Sequence, residues 1–524
     1  MLLREGKVPQ KYFFIFSARQ RRPEEEEEKN MRKLNRIVAS AMAVVMAGSM
    51  MAGCSSSSSD NKSTSASTET KAPAASEDAT KDATKDASTE APAAEVKQPE
   101  VSSTGKKLNI WCWNNEFATR MMLLPGYEVN DKKTPEDGGK LGDVEVSFTM
   151  VDNKDNAYQD ALDAALDKQA DASADDKVDL FLVEADYALK YVDDDCSDDV
   201  YKYIAKESTS DMFQYTKDVM TSADGVLKGV SWQGCPGLLF YNRDIAKDVL
   251  GTDDPTEVQK YVSSWDKFNE TAQKMVEKKY LMVPSVNDAF RVYQNNVTSK
   301  WVDDSKNLVI DDNLKAWAES SKALYDMKAT TNDELWAGYD NAKNGGCFCV
   351  FGPAWLINFC FGYDADKIKD GTADMTNVAN AGKWGACEGP QSFNWGGTWM
   401  VPATGTDNAA EIQKIMLALT CDASVMKSIV TTYDDFVNNQ KAMEEMANDK
   451  NYSSYILGGM NPLGLYLEGA KKISMKNITI YDQGCNEEFQ TAMKGYFAGD
   501  STYDQAIESF KKNLKSKYPG INVD

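Results

Sequence analysis

Residues 55–105 carry no aromatic side chain and consist almost wholly of Ser, Thr, Ala, Asp, Glu, Lys and Pro. A stretch of that composition cannot bury enough apolar surface to offset the entropy lost on ordering. Any fold in this 524-residue chain must therefore begin near Lys106, where the composition changes. The remaining length suffices for two or three domains with cores of their own. As a random coil the polar tract spans roughly 40 Å r.m.s., so it reads as a tether.

What the tether is fixed to is written just before it. Residues 31–54 read MRKLNRIVASAMAVVMAGSMMAGC. Arg32, Lys33 and Arg36 form a basic start, and Ile37 to Met50 an apolar, small-residue run too short to span a bilayer comfortably. That is the pattern of a secretory signal. Its end, Met51-Ala52-Gly53-Cys54, resembles the lipobox of bacterial lipoproteins. The resemblance implies a diacylglyceryl group on the Cys54 sulfur and cleavage ahead of it, giving a signal peptide at 31–53 and a lipidated tether at 54–105. The charged block RRPEEEEEKN lies upstream of this signal. Translation is therefore expected to start at Met31, with residues 1–30 a misassigned start.

Composition prunes the function classes. There is no histidine, which removes Ser-His-Asp and Cys-His catalysis and imidazole-based zinc sites. The formal net charge of −23 argues against nucleic acid, whose phosphates need a basic surface. Ten cysteines are scattered without a CxxC pair. In GGCFCVFGPAW, Cys347 and Cys349 alternate with Phe348 and Val350 and read as small apolar residues of a buried strand. No metal or other cofactor is expected.

From Lys106 the pattern is that of an α/β sheet with covering helices. KLNIWCW and VDLFLVEADY are short buried strands, and DVEVSFTMVD alternates Val144, Val146, Phe148 and Met150. Between them, Tyr158, Ala161, Leu162, Ala165 and Leu166 follow the helical period. Tyr503, Ala506, Ile507, Phe510 and Leu514 do the same near the C-terminus. Polar and aromatic residues follow each strand: Trp113 and Asn114 the first, Asp152 the second, Glu184, Asp186 and Tyr187 the third. Ligands of open α/β sheets bind beyond the carboxyl ends of strands, so these clusters point to one place.

Several segments, in order, resemble the extracellular solute-binding proteins of the carbohydrate-uptake class, the maltose-binding-protein superfamily. GVSWQGCPGLLFYNRDIAKDVLG (229–251) is similar to the stretch that leaves the first lobe of that family and enters the second. WDKFNETAQKM (265–275) resembles a helix opening of the family, and CVFGPAWLINF (349–359) its Gly-Pro-Trp turn, although Ala354 here separates Pro353 from Trp355. FNWGGTWMVPATGTDNAAEIQKIM (393–416) resembles the Gly-Gly strand returning to the first lobe. The likeness runs from about Leu108 to Leu514. It implies a two-lobed α/β fold of the periplasmic-binding-protein type (type II), with a hinge and a central ligand cleft. Residues 106–235 with 393–440 would form lobe 1, and 236–392 with 441–524 lobe 2.

The resemblance also implies a function. The chain would be the substrate-binding lipoprotein of an ABC importer, a monomer on the extracellular face of the bacterial cytoplasmic membrane. It would close on a mono- or oligosaccharide and deliver it to the permease. A sugar ring presents C–H faces and a rim of hydroxyls, so its site needs flat aromatic surfaces with planar polar groups beside them. Of the eleven tryptophans, Trp113, Trp232, Trp355, Trp395 and Trp399 fall where loops should converge. Trp265, Trp317 and Trp336 lie on apparent helices and are assigned to the core. Asn114, Asp152, Glu184, Tyr187, Gln233 and Arg291 supply candidate polar partners, and Gly396 and Gly397 would let backbone approach the ligand closely. Two other readings stand beside this one. A cationic solute such as a polyamine would also suit Trp with Asp and Glu, and a secreted glycoside hydrolase could work with two carboxylates and no histidine.

Overall fold

A computed structural model describes residues 96–130, 134–357, 361 and 380–524. The expected start at Met31, the signal segment, Cys54 and the tether up to residue 95 lie outside the described residues.

Two sheets organise the chain. The first has seven strands in the order β2-β3-β4-β1-β5-β10-β6. They are β1 (Lys107–Cys112), β2 (Tyr127–Val129), β3 (Gly139–Leu141), β4 (Val144–Met150), β5 (Leu180–Glu184), β6 (Val230–Ser231) and β10 (Thr398–Pro402). β1 runs parallel to β4 and β5, and β10 is antiparallel to β5 and β6. β5 is buried along its length up to Glu184, as a central strand covered on both faces must be. The helix Ala157–Leu166 lays Tyr158 and Leu162 on this sheet. The Tyr158 hydroxyl donates to the carbonyls of Leu182 (2.7 Å) and Trp111 (3.1 Å), pinning the helix to the ends of β5 and β1.

The second sheet has three strands, with β7 (Gly237–Asn242) flanked antiparallel by β8 (Cys349–Pro353) and β9 (Trp384–Cys387). Cys347 and Cys349 are buried here as expected, and none of the eight described cysteines is disulfide-bonded. The helices Asp312–Asp326, Asp482–Ala498 and Tyr503–Lys517 pack together beside it. The last of these buries Ala506, Phe510 and Leu514, and its start is closed by a reciprocal Thr502–Gln505 capping box.

The chain crosses between the sheets after β6 and again before β10. At the crossing three segments lie side by side. Gln233 bridges Val437, and Pro236 bridges Asn394. The Trp395 amide donates to the Cys235 carbonyl at 3.2 Å, and the Gly234 amide to the Phe436 carbonyl at 2.9 Å. The third segment, Asp434–Asn438, lies along the first crossing, just ahead of the third change of lobe expected from sequence at 440/441.

The tether ends earlier than its composition suggests. Gln98 Oε1 accepts the Ala205 amide (2.9 Å), and the Pro99 carbonyl accepts Gln413 Nε2 (2.9 Å). The amides of Thr104 and Gly105 both donate to the Asp407 carbonyl. Residues 98–105 therefore lie against the first lobe, held by backbone and side-chain hydrogen bonds where apolar burial is lacking.

Candidate functional site

The carboxyl ends of β1 and β5 meet the second crossing. Trp113 follows β1, is half-buried, and stands edge-on to Tyr158 and Tyr187 with ring centroids 5.7 and 6.2 Å apart. Tyr187 follows β5. Its ring is buried and its hydroxyl has no protein partner. Glu184 ends β5 opposite Thr398 of β10, which sets Gly397 beside it. Burial and the neighbouring Asp186 push the Glu184 carboxyl well above the usual range, against the opposing pull of Arg291. A carboxyl kept protonated can donate as well as accept a hydrogen bond.

Gly396 and Gly397 have φ of 80° and 108°, where a side chain would be strained. A Cβ at 396 would also stand 3.2 Å from Trp355 Nε1, and one at 397 3.1 Å from the Trp399 ring. Neither position has room for a side chain, and of the two it is Gly396, beside Trp355, that stays partly accessible. Trp355 Nε1 donates to the Trp395 carbonyl at 3.2 Å, and the two rings meet edge-on at 4.9 Å. Trp113 thus stands against Tyr187 beyond β1 and β5, Trp355 stands against Trp395 beside the glycine pair, and the pairing of Glu184 with Thr398 links the two groups.

The lobes are bridged beside these groups. Arg291, on the helix Phe290–Asn295 of the second lobe, grips Asp186 with both terminal nitrogens. Nη1–Oδ1 is 2.6 Å, and Nη2 pairs with Oδ2. Gln483 Nε2 donates to Asn156 Oδ1, and Gln483 Oε1 accepts from Gln159 Nε2, both at 2.9 Å. Behind Tyr187 the lobes leave a groove of about 600 Å³ between Lys190, Ile480 and Tyr518. Asp482 lies near Arg291 in the second lobe, and burial raises its carboxyl to about 7.

Four sequence candidates are not gathered into either group. Trp232 is fully buried against Phe117 (5.3 Å), with Nε1 unpartnered. Trp399 is buried too, its Nε1 donating to the Thr216 carbonyl at 2.8 Å. Both follow the inward side of the β6–β10 pair, where the covering segments seal them from the cleft. Gln233 Nε2 is held by Glu116 Oε1 (2.8 Å) and Asp435 Oδ2 (3.2 Å). That buried cluster is centred on Arg120, whose Nη2 lies 2.9 Å from Asp435 and 3.4 Å from Glu116. Asp152 is exposed and accepts the Lys154 amide at 2.7 Å. Asn114 stays near Trp113, where its Oδ1 accepts the Glu116 amide at 3.0 Å.

Two residues were missed. Asp186, the partner of Arg291, sits two positions after Glu184, in a post-strand cluster already visible in the sequence. Trp336 was assigned to the core but is 57% exposed and adjoins Trp355 and Trp395. The helical period could have found it. Leu335, Gly338, Tyr339 and Ala342 share the inward stripe of the helix Leu335–Asn341 and its continuation, and Trp336 lies off that stripe. Trp317 is buried, and Trp265 stacks on Tyr293 at 4.1 Å. Among the described residues, no group of three or more Cys, Asp or Glu side chains is disposed to hold a metal ion.

No family model matches the chain, and no curated protein matches it. Solved structures do. One is an extracellular solute-binding protein family 1 structure (TM-score 0.59, 16% identity), matched over 78% of this chain and 99% of that one. Another is the ABC transporter associated binding protein from B. animalis subsp. lactis Bl-04 in complex with β-1,6-galactobiose. Its TM-score is 0.56 and its identity 16%, over 80% of this chain and 100% of that one. The GacH receptor of Streptomyces glaucescens, solved unliganded and with acarbose, matches with TM-score 0.54 and 16% identity over the same shares. At such identity the likeness is one of fold, and the fold is the two-lobed α/β architecture of solute-binding proteins.

Proposed function

We propose that this two-lobed chain is the substrate-binding lipoprotein of an ABC importer. It takes up a mono- or oligosaccharide between its lobes by hinge closure and presents it to a membrane permease. The observation that carries this reading is the pair of aromatic groups just described, with Glu184 linking them and partly accessible backbone at Gly396, where the two lobes meet. Flat apolar faces next to planar polar groups match the C–H faces and hydroxyl edges of a pyranose. The sugar ligands named for the similar structures from B. animalis and S. glaucescens support the same ligand class. Binding alone is proposed, with no bond made or broken.

The further parts of the reading rest on the sequence. The lipobox at Cys54 supports an anchor on the extracellular face of the cytoplasmic membrane, and two acyl chains hold a protein there stably. The division into 106–235 with 393–440 and 236–392 with 441–524 is supported by the change of sheet between β6 and β7 and between β9 and β10. The protein acts as a monomer with its permease as partner.

A cationic solute such as a polyamine is the second reading, favoured by one observation: Glu184, Asp186 and Asp482 surround the single guanidinium of Arg291. A thermal-shift screen of the purified protein separates the two. A ligand held only by the folded state at a hundred times its Kd adds about 2.7 kcal/mol of stability. Neutral saccharides are expected to raise the melting temperature. A shift with polyamines alone overturns the saccharide reading, and cleavage products after incubation with oligosaccharides overturn the binding-only reading.

A further inference from the structure

Among the described residues, the large apolar side chains left exposed are Val96, Trp336, Tyr455 and Ile480. Trp336 carries the largest ring and the greatest exposure, 57%. Leaving an indole in water forgoes about 25 cal/mol for each Å² of apolar surface that could have been buried. The position is not an accident of a frayed end. The helix Leu335–Asn341 is fixed through Gly338, which packs so closely on Pro284 that a Cβ would lie 3.2 Å from its carbonyl oxygen. The indole touches Tyr339 edge-on at 5.7 Å and lies 6.3 Å from Trp355 and 6.2 Å from Trp395, tilted by 36° and 40°. It therefore extends the Trp355–Trp395 group outward by one ring.

The surroundings say what such a ring can hold. Trp336 is flanked by the exposed carboxylates of Glu334, at the cap before its helix, and Asp340, one turn further on, which pair with Lys494 and Lys343. The apolar surface is one ring wide and rimmed by charge, unlike the broad patches that bind proteins. A pyranose ring, with an apolar face and a hydroxyl rim, fits both features. Trp355 and Trp395 lie directly beside it, so a saccharide ring seated against Trp355 would send its next ring towards Trp336.

We infer that Trp336 is an outer stacking platform for a second or later pyranose ring, so that the cleft takes an oligosaccharide in preference to a monosaccharide. This deepens the saccharide reading above and rests on it.

The test is calorimetric titration of the unmutated protein, Trp336→Ala and Trp336→Phe with two ladders: galactose and β-1,6-galacto-oligosaccharides, and glucose to maltotetraose. The unmutated protein is expected to bind tighter as rings are added. Trp336→Ala should lose about tenfold in affinity for the longer members and far less for the monosaccharide, and Trp336→Phe should restore most of the loss. Unliganded melting curves check folding, and little change is expected because most of the indole is already in water. A loss equal at every length, or none at all, overturns the inference and leaves the saccharide reading standing. If no member of either ladder binds the unmutated protein, the saccharide reading falls and takes the inference with it.

Discussion

The two crossings share a tryptophan with a glycine two residues on, in SWQGCPG at 231–237 and NWGGTWM at 394–400, and differ in what surrounds them. In the first, Trp232 is fully buried and the next residue, Gln233, is tied into the Arg120–Glu116–Asp435 cluster. In the second, Trp395 keeps a little exposure beside the partly accessible Gly396, and its carbonyl accepts from the half-buried Trp355. The difference comes from what lies on top. Helix Glu116–Met121 and the segment Asp434–Asn438 roof the first crossing, with the Asn438 amide donating to the Trp232 carbonyl at 2.8 Å. The second crossing is held by the first along one side and is partly accessible at Gly396, where Trp355 and Trp336 gather.

The strongest test of this contrast exchanges stability for binding. Trp232→Ala should cost about 3–5 kcal/mol of unfolding free energy, as large-to-small changes of a buried indole do, and should lower the melting temperature without ligand. Trp355→Ala, half-buried on the accessible side, should cost clearly less stability yet remove the ligand-induced thermal shift. If Trp232→Ala melts like the unmutated protein but no longer responds to saccharide, the roles of the two crossings are reversed.

The ion pairs of the two regions sharpen the same comparison. Asp435→Ala leaves Arg120 buried beside Glu116 and should cost about 3–5 kcal/mol, the usual penalty for breaking a buried pair. Asp186→Ala breaks a pair whose side chains remain about a fifth exposed. It should cost about 1 kcal/mol or less and act mainly by loosening closure, seen as faster ligand release in stopped-flow fluorescence. Between these, Gly397→Ala places a side chain at φ 108° against the Trp399 ring. It should destabilise by about 1–3 kcal/mol and weaken ligand binding together.

A further expected effect is one of pH, and it joins both regions. Burial raises Glu116 at the first crossing and Asp482 near the cleft to about 7, and Asp434 to about 6, with Glu184 raised as well. A carboxyl whose pKa is higher in the folded state binds its proton more tightly there, so stability falls as pH rises from the unfolded value near 4 through the folded value. Melting temperature should therefore climb on acidification from about pH 8 to about pH 5. Glu116→Gln should flatten that climb. A melting temperature that instead drops over this range would mean that these carboxyls are stabilised as anions.

Much of the architecture was legible because it depends on local pattern. Alternation marked β1, β4 and β5, the helical period marked 157–166 and 503–517, and the clusters after β1 and β5 meet at Trp113 and Tyr187. The limits of the tether were legible only approximately. Composition correctly withheld a core from residues 98–105, but hydrogen bonds to Ala205, Asp407 and Gln413 hold that stretch without one. The site was half legible. Trp113, Glu184, Tyr187, Trp355, Trp395 and the glycine pair come together, whereas Trp232, Trp399 and Gln233 turn inward, Asp152 stands apart and Trp336 turns out.

The sequence by itself determined the materials: a short apolar run ahead of a long polar tract, an α/β sheet pattern, no histidine for acid–base chemistry, and tryptophans placed after strands. These follow from composition and from periods of two and 3.6 residues, which act over a few neighbours. Only the tertiary structure decided which indoles meet the cleft and which carboxylate Arg291 would grip. Those choices depend on segments roughly one to two hundred residues apart in the chain. Asp434–Asn438 covers Trp232, and Asp186 reaches across the cleft to Arg291, and neither covering nor reach is written in the local period of the residues it governs.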